Sequence, residues 1–255
     1  MLGAIAGDII GSLYERLALK SKRFPLFDAK NRFTDDTVMT VAVADWLLSG
    51  GDLVDTLHEY FHHYPRAGYG GTFIRWCRDR NRDPYNSWGN GSAMRVSPVA
   101  YAYDDMASVL TKAEESAAVT HDHPEGIKGA QATAAAIFLA RQGKTKQDIR
   151  EFIERNFAYH LKDTVDEIRL TYTFDVSCQG SVPQSLIAFL DANSYEDAVR
   201  NAVSLGGDAD TMACIAGAVA EPFFGLPDHI GQEALNRLDE RLFAVVEAFL
   251  QKYRR

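Results

Sequence analysis

The chain has 255 residues, and its 35 acidic and 27 basic side chains give it a formal net charge of −8. Hydrophobic residues make up 46% of the chain, as in an ordinary folded domain, which excludes a disordered or collagen-like protein. The acidic balance argues against non-specific binding to a polyanion. We therefore expect a folded protein without a direct nucleic-acid partner.

Cysteine usage and hydropathy indicate a compartment. The three cysteines are widely spaced and form no C-x-x-C pair, so we expect no disulfide framework and a reducing environment. The chain contains no run of about 18 apolar residues, so we expect no transmembrane helix. Residues 1–13 are apolar but contain Asp8 and lack a basic leader, so they do not resemble a signal peptide. These features predict a cytoplasmic protein that does not enter membranes.

Hydrophobic periodicity is helical almost everywhere along the chain. The first predicted helix, residues 1–19, has glycines at positions 3, 7 and 11 that would let another helix approach closely. Only residues 174–178 alternate as a strand would, and that run is short and isolated. No linker or repeat is visible, so we predict a single all-α domain over residues 1–255. The other predicted helices cover residues 36–48, 53–64, 107–119, 127–141, 146–158, 195–205, 210–220 and 235–253.

An acidic cluster stands at the start of the second predicted helix, where residues 34–37 read Thr-Asp-Asp-Thr. Asp and Thr often cap a helix here by accepting hydrogen bonds from its free amides. The positive end of the helix dipole also favours ionised carboxylates, so Asp35 and Asp36 could serve as hard oxygen ligands for Mg²⁺, Mn²⁺ or Ca²⁺. For this segment alone, both interpretations stay open.

A second acidic cluster repeats this arrangement before the helix of residues 210–220, where residues 206–211 read Gly-Gly-Asp-Ala-Asp-Thr. Asp208 and Asp210 are two positions apart, and the preceding glycines permit a sharp turn, so both carboxylates can point to one place. A helix cap needs only one such residue. We therefore predict that the four aspartates of the two clusters converge on one divalent-metal site, of the kind in which two cations clamp a substrate.

Residues 89–95, Gly-Asn-Gly-Ser-Ala-Met-Arg, form either a simple turn into a helix or an anion site. In the second interpretation, backbone amides and the Ser92 hydroxyl would cradle a phosphate. Such a cradle beside a dication site would explain how an acidic protein binds a phosphate-bearing ligand.

Asp8, Gly11 and Glu15 are three and then four positions apart, so they lie on one face of the first predicted helix. We interpret Asp8 as a buried polar residue held by hydrogen bonds. Glu15 lies where the apolar stretch ends, and the loop that follows carries five basic residues. We predict that Glu15 lies at the rim of the cleft and moves between a metal-bound, closed position and an open one that admits substrate.

Residues 58–62 read His-Glu-Tyr-Phe-His and match the H-E-x-x-H pattern of zinc peptidases. The predicted helix is short and amphipathic, and no third ligand follows nearby, so a half-exposed helix is the simpler interpretation. The Thr-His-Asp-His-Pro segment at residues 120–124 could bind metal through its histidines, or His121 could contact a ligand hydroxyl or ring.

Five segments, in this order, resemble the ADP-ribosylglycohydrolase family, which includes the dinitrogenase reductase-activating glycohydrolases and the ADP-ribosyl-acceptor hydrolases. The resemblance spans about residues 1–224, and the pairing of the two acidic motifs is its most specific part. It implies a compact all-α domain of orthogonally packed helices with two Mg²⁺ or Mn²⁺ ions in a cleft. The five segments are residues 7–15, 33–37, 89–95, 120–121 and 206–211.

The resemblance also implies roles for individual residues. Glu15 matches a gating glutamate of the branch that cleaves serine linkages and poly(ADP-ribose), and Glu15 or Asp36 would supply acid or base catalysis. His121 would lie against the adenosine-side ribose. The implied metal ligands are Thr34, Asp35, Asp36, Asp208, Asp210 and Thr211, and the implied diphosphate site is Gly89, Asn90, Gly91 and Ser92.

The activity implied by the resemblance is hydrolysis of the glycosidic bond between C1 of the distal ribose and an arginine- or serine-linked protein side chain. The substrate would be an ADP-ribosylated protein or ADP-ribose. Two dications could hold the vicinal ribose hydroxyls while oxocarbenium character develops at C1. Because the fold of this family also occurs in lens crystallins, a non-enzymatic relative is an alternative that the intact acidic clusters disfavour. A zinc peptidase acting through His58, Glu59 and His62 is a remote one.

Overall fold

A computed structural model describes residues 1–253, and all regular secondary structure in that range is helical, which confirms the all-α prediction. An isolated antiparallel bridge joins Gly89 and Ser177, but residues 1–253 contain no strand. The helices are α1 Leu2–Gly11, α2 Asp35–Ser49, α3 Leu53–His63, α4 Gly71–Arg78, α5 Gly91–Met94, α6 Val99–Ala102, α7 Met106–Ala118, α8 Pro124–Arg141, α9 Lys146–Phe157, α10 Val165–Thr171, α11 Cys178–Leu190, α12 Tyr195–Ser204, α13 Ala209–Phe224, α14 Asp228–Leu235 and α15 Glu240–Tyr253.

The contact between α1 and α13 is the closest helix packing near the acidic clusters. A Cβ atom on Gly11 would lie 2.5 Å from the carbonyl oxygen of Ala209 and from the Cα of Asp210, and Gly7 faces the backbone of Ala213 just as closely. Only glycine lets the two backbones approach this far. The small-residue face predicted from the sequence therefore brings the turn of α1 that carries Asp8 against the first turn of α13.

The core surrounds α13, whose residues from Ala209 to Ala220 are all buried, as its apolar sequence predicts. Helices α1, α8, α11 and α12 pack around it. Helix α2 is buried along most of its length and begins at Thr34, whose side chain accepts a hydrogen bond from the amide of Asp36. Both acidic clusters consequently lie at the mouths of helices that run into the core.

Helix boundaries differ from the predictions at both ends of the chain. Helix α1 ends at Gly11, not at residue 19, and tight turns follow, closed by hydrogen bonds from Tyr14 N to Gly11 O at 2.7 Å and from Leu17 N to Tyr14 O at 3.0 Å. The helix predicted at residues 235–253 begins only at Glu240, because the carboxylate of Asp239 accepts the amide of Leu242 and starts a new helix.

Some helices were not predicted from the sequence. Helix α11 includes Gly180 and Pro183, which weaken helical signals, and helix α4 ends in a cluster of charged residues. The alternating run at residues 174–178 does not form a strand; it leads into α11 and contributes the bridge at Ser177. Within the described range, every helix is too short or too polar to cross a bilayer.

Candidate metal and substrate cleft

The two acidic clusters meet in one cleft of about 790 Å³. The cleft opens between the mouths of α2 and α13 and the segment before α5. Eleven of the twelve candidate residues chosen from the sequence line it: Glu15, Thr34, Asp35, Asp36, Gly89, Asn90, Gly91, His121, Asp208, Asp210 and Thr211. Residues almost 180 positions apart in sequence are therefore neighbours.

Asp8 lies buried against the start of α2. Its carboxylate is fully buried and accepts hydrogen bonds from the backbone amides and the hydroxyls of Thr34 and Thr37. The Thr34 hydroxyl is 2.6 Å from Oδ1, and the two amides are 2.9 and 3.0 Å from Oδ2. The interpretation of Asp8 as a buried, hydrogen-bonded residue agrees with this geometry. Asp8 thus ties α1 to the mouth of α2.

Asp36 lies where the two clusters touch. Its Oδ2 accepts a hydrogen bond of 3.3 Å from the hydroxyl of Thr211, a residue of the second cluster. Its Oδ1 is buried and has no hydrogen-bond partner within residues 1–253. The amide that starts α2 is capped by the Thr34 hydroxyl, so the carboxylates of Asp35 and Asp36 are not used as caps. A buried carboxylate oxygen without a partner is costly unless a cation or a donor reaches it.

Carboxylate oxygens of Asp8, Asp36 and Asp210 all lie within 4.8 Å of one another. Burial and the neighbouring negative charges raise the pKa of Asp36 and of Asp210 well above its usual value. Burial and the charge of Asp8 raise the pKa of Asp35 to about 8. The ionised carboxylates of this cluster repel one another. Their hard oxygen donors can hold a metal ion, whose positive charge would balance theirs.

Asp208 connects the acidic cluster to the segment before α5. It occupies the N-cap position of α13 without capping it, and its carboxylate instead accepts a 2.7 Å hydrogen bond from the side-chain amide of Asn90. Asp210 is in the first turn of the same helix, and both of these carboxylates face the cleft.

The segment at residues 89–92 differs from the expected anion cradle in two respects. The amides of Gly89 and Asn90 already donate to Ser87 Oγ and to the carbonyl of Val176. The Ser92 hydroxyl is fully buried and donates to the carbonyl of Gly126 at 2.7 Å, so it braces α5 against α8 and does not line the cleft. The backbone at Gly89 and Gly91 lies in the cleft wall beside the ring of His121.

His121 is held through Thr120 by a buried cation, Arg95, for which the sequence motif predicted no role. The guanidinium of Arg95, 1% exposed, donates to the carbonyl of Ser116 and to the hydroxyl of Thr120, which lies 2.7 Å from Nδ1 of His121. Burial, and then the charge of Arg95, hold the pKa of His121 well below its usual value. The imidazole is therefore a neutral wall of the cleft. An arginine within a mostly apolar segment was the available signal.

Glu15 lines the cleft within electrostatic reach of Asp208. Its side chain is 34% exposed, and Arg16 Nε lies 4.0 Å from Oε2. Partial burial and the charge of Asp208 raise the pKa of Glu15, while Arg16 and Arg32 lower it less strongly. These two arginines line the same end of the cleft.

The H-E-x-x-H segment does not assemble a metal site. Nδ1 of His62 lies 2.6 Å from the carbonyl of His58, and the carboxylate of Glu59 pairs with Arg241 at 2.6 Å. Residues 1–253 contain one group of three or more candidate metal-ligating side chains that come close together, and it is the aspartate cluster. The zinc-peptidase interpretation therefore has no geometric support.

An all-α fold that gathers buried carboxylates at helix mouths in one cleft defines a class of proteins with an acidic, metal-capable site. The chain belongs to the ADP-ribosylglycohydrolase family, whose profile matches residues 1–255. The human ADP-ribosylhydrolase ARH3 is 29% identical, and the alignment covers 89% of this chain and 84% of that protein. The ADP-ribosylarginine hydrolase Tri1 of Pseudomonas putida (strain GB-1) is 26% identical over 89% of this chain and 70% of its own length.

A solved structure supports the same fold. The ADP-ribosylglycohydrolase-related protein complex contains a chain that superposes with a TM-score of 0.73, over 98% of this chain and 95% of that one. Its sequence identity is 24%, so the likeness concerns the fold.

Proposed function

We propose that this protein is a metal-dependent, cytoplasmic hydrolase that removes ADP-ribose from modified protein side chains. The bond cleaved is the glycosidic bond between C1 of the distal ribose and the acceptor atom. The observation that carries the proposal is the meeting of Asp36 and Thr211, from the two acidic motifs, in one cleft. The named relatives act on ADP-ribose linkages, which supports the same substrate class.

The donor set fits divalent cations such as Mg²⁺ or Mn²⁺. The two acidic clusters offer carboxylate and hydroxyl oxygens to the cleft, and Asp36 Oδ1 is buried without a partner within residues 1–253. When bound, two such cations would supply Lewis acidity and orient the vicinal hydroxyls of the distal ribose. The residues that would hold them are Thr34, Asp35, Asp36, Asp208, Asp210 and Thr211. Asp8 acts as a positioning residue, because four hydrogen bonds already occupy its carboxylate.

The remainder of the substrate would extend from the aspartates towards His121. Gly89, Asn90 and Gly91 would line the diphosphate, with Ser92 supporting this segment through its hydrogen bond to Gly126. The neutral ring of His121 would lie against the adenosine-side ribose. With the adenosine half at this end, C1 and the acceptor side chain point towards Glu15.

Hydrolysis needs one proton moved from water and one delivered to the departing acceptor atom. Glu15 is placed for such transfers, since it lines the cleft and partial burial raises its pKa above the usual value of a glutamate. Asp36, buried beside Thr211, is the second carboxylate that could take a proton from water. The C1–acceptor bond breaks, and a C1–OH bond forms from water.

The experiment offers defined arginine-linked and serine-linked ADP-ribosyl peptides to the protein, with Mg²⁺, with Mn²⁺ and with EDTA. Release of ADP-ribose from one of the linkages, lost in EDTA and in Asp36→Asn, is the expected result. Binding of ADP-ribose without release from either linkage would favour a non-enzymatic relative. Zn²⁺-dependent peptide cleavage that disappears in His58→Ala would favour the peptidase alternative.

A further inference from the structure

The cations that line the cleft differ in exposure. Near His121 the wall is formed by the backbone at Gly89 and Gly91, the deprotonated imidazole and the guanidinium of Arg95, which is only 1% exposed and donates to Ser116 and Thr120. The end near Glu15 carries the exposed guanidinium groups of Arg16 and Arg32. Cations at one rim are notable in a chain with a net charge of −8.

The positive charges of Arg16 and Arg32 remain exposed and can pair with a bound ligand. The Arg16 side chain is 89% exposed, and its nearest acid, Glu15, is 4.0 Å away. Arg32 is exposed and donates its backbone amide to Ser12 Oγ, and none of the ion pairs within residues 1–253 includes its guanidinium. Both guanidinium groups are close enough to lower the pKa of Glu15.

Neighbouring cations of the same segment are used differently. Lys20 Nζ donates to the carbonyls of Tyr172 and Leu205, at 2.5 Å each, and Lys22 pairs with Asp197. These lysines fasten the segment to the body of the protein and do not line the cleft. Lys20 and Lys22 therefore attach the segment, whereas Arg16 and Arg32 face solvent at the opening of the cleft. Leu17, 63% exposed, adds an apolar surface there.

We propose that Arg16 and Arg32 form an acceptor-side recognition surface for polypeptides that carry Asp or Glu beside the ADP-ribosylated residue. The inference rests on the proposed function, because that function directs C1 and the acceptor towards Glu15. A peptide leaving the cleft there passes the two guanidinium groups and Leu17. Acidic flanking residues gain favourable ion pairs with the arginines, and basic ones are repelled.

The test uses three ADP-ribosylated peptides with the same linkage and with Glu, Gln or Lys on both sides of the modified residue. An ADP-ribosylated single amino acid with blocked termini serves as the reference without flanks. Wild-type protein should prefer the Glu-flanked peptide over the Gln-flanked one by about threefold to tenfold in kcat/KM and in affinity measured by fluorescence anisotropy. The preference should shrink as salt is raised.

The double variant Arg16→Gln/Arg32→Gln should lose this preference, and Arg16→Glu/Arg32→Glu should invert it in favour of Lys. Each ratio is taken within one variant, so any change in Glu15 cancels. The matched control Arg23→Gln/Lys30→Gln removes two exposed cations of the same segment that do not line the cleft, and it should keep the wild-type ratio.

Equal kcat/KM and affinity for the three peptides in the wild-type protein would overturn the inference. So would an equal loss on the peptides and on the single-residue reference, which would assign the arginines to ADP-ribose itself. A preference for ADP-ribose polymers with none among the peptides would contradict it too. Lack of turnover on the reference would instead reject the proposed function, while the anisotropy measurements would still decide the peptide preference.

Discussion

The side-chain amide of Asn90 donates a 2.7 Å hydrogen bond to the carboxylate of Asp208, across 118 residues of sequence. This contact links the segment before α5 to the mouth of α13. A neutral donor also favours the charged form of a carboxylate whose pKa burial raises. The proposed diphosphate end and the proposed metal end of the cleft are thereby held at a set distance from each other.

Replacing Glu15 by Gln should lower turnover by about 10²–10⁴-fold, the usual contribution of a positioned acid or base. The affinity for ADP-ribose should change little, because the amide keeps the size of the side chain. Steady-state kinetics and calorimetric binding of ADP-ribose measure the two quantities.

Glu247→Gln is the control for this substitution, because it removes an exposed carboxylate on α15, outside the cleft. Its turnover should equal that of the wild type. If Glu15→Gln also turned over normally, Glu15 would be only a partner of Arg16, in an exposed ion pair of about 0–1 kcal/mol.

Replacing Asp210 by Asn should abolish stabilisation by metal and leave the fold intact. In the wild type, metal at about 100 times its Kd should add about 2.7 kcal/mol to the free energy of unfolding. Without metal, the variant should be at least as stable as the wild type, since it loses a buried carboxylate among repelling neighbours. Thermal unfolding with Mg²⁺, Mn²⁺ and EDTA measures both effects.

Asp228→Asn, at the exposed start of α14, is the matched control and should retain the full stabilisation by metal. An equal metal-induced increase in Tm for Asp210→Asn and the wild type would remove Asp210 from the site.

Acidification should destabilise the protein through His121. Burial and Arg95 hold its pKa in the folded state well below 6.5, so below about pH 6.5 the unfolded chain binds a proton that the folded one does not. Stability from this group is therefore present at neutral pH and lost on acidification, by at most about 1.4 kcal/mol per pH unit. Urea unfolding of the wild type and of His121→Gln should give curves that converge as the pH falls.

Between about pH 8 and 9, neither state protonates this imidazole appreciably, so the stability difference between wild type and His121→Gln should stay constant there. A difference that is constant down to about pH 5 would mean that His121 takes up its proton equally well in the folded protein.

Gly7→Ala should destabilise the fold by about 1–3 kcal/mol, because its methyl group would collide with the backbone of α13 at Ala213. Asp8 follows in the same turn, so metal binding should weaken as well. Gly51→Ala is the control: its nearest neighbour is Ser49 Oγ at 3.7 Å, and the change should be almost neutral. Equal denaturation midpoints for the two variants would show that α1 and α13 can move apart freely.

The sequence by itself determined three features: the all-α class, the positions where α2 and α13 begin, and the carboxylate and hydroxyl side chains at those two helix starts. These features are local: apolar periodicity and capping residues act within one or two turns, so neighbouring residues encode them. The glycine spacing of α1 likewise predicted a close contact with another helix. The single domain over residues 1–255 stays a prediction.

Only the tertiary structure decided which groups share the site. Asp8 joins Asp36 and Asp210 because Gly11 lets α1 reach the first turn of α13, a contact between residues almost 200 positions apart. The Ser92 hydroxyl leaves the cleft because the carbonyl of Gly126, on another helix, accepts its hydrogen bond. Helix α1 stops at Gly11 although the apolar pattern continues, and tight turns closed by Tyr14 N and Leu17 N replace it. Contacts of this kind depend on how distant segments pack, which no local pattern encodes.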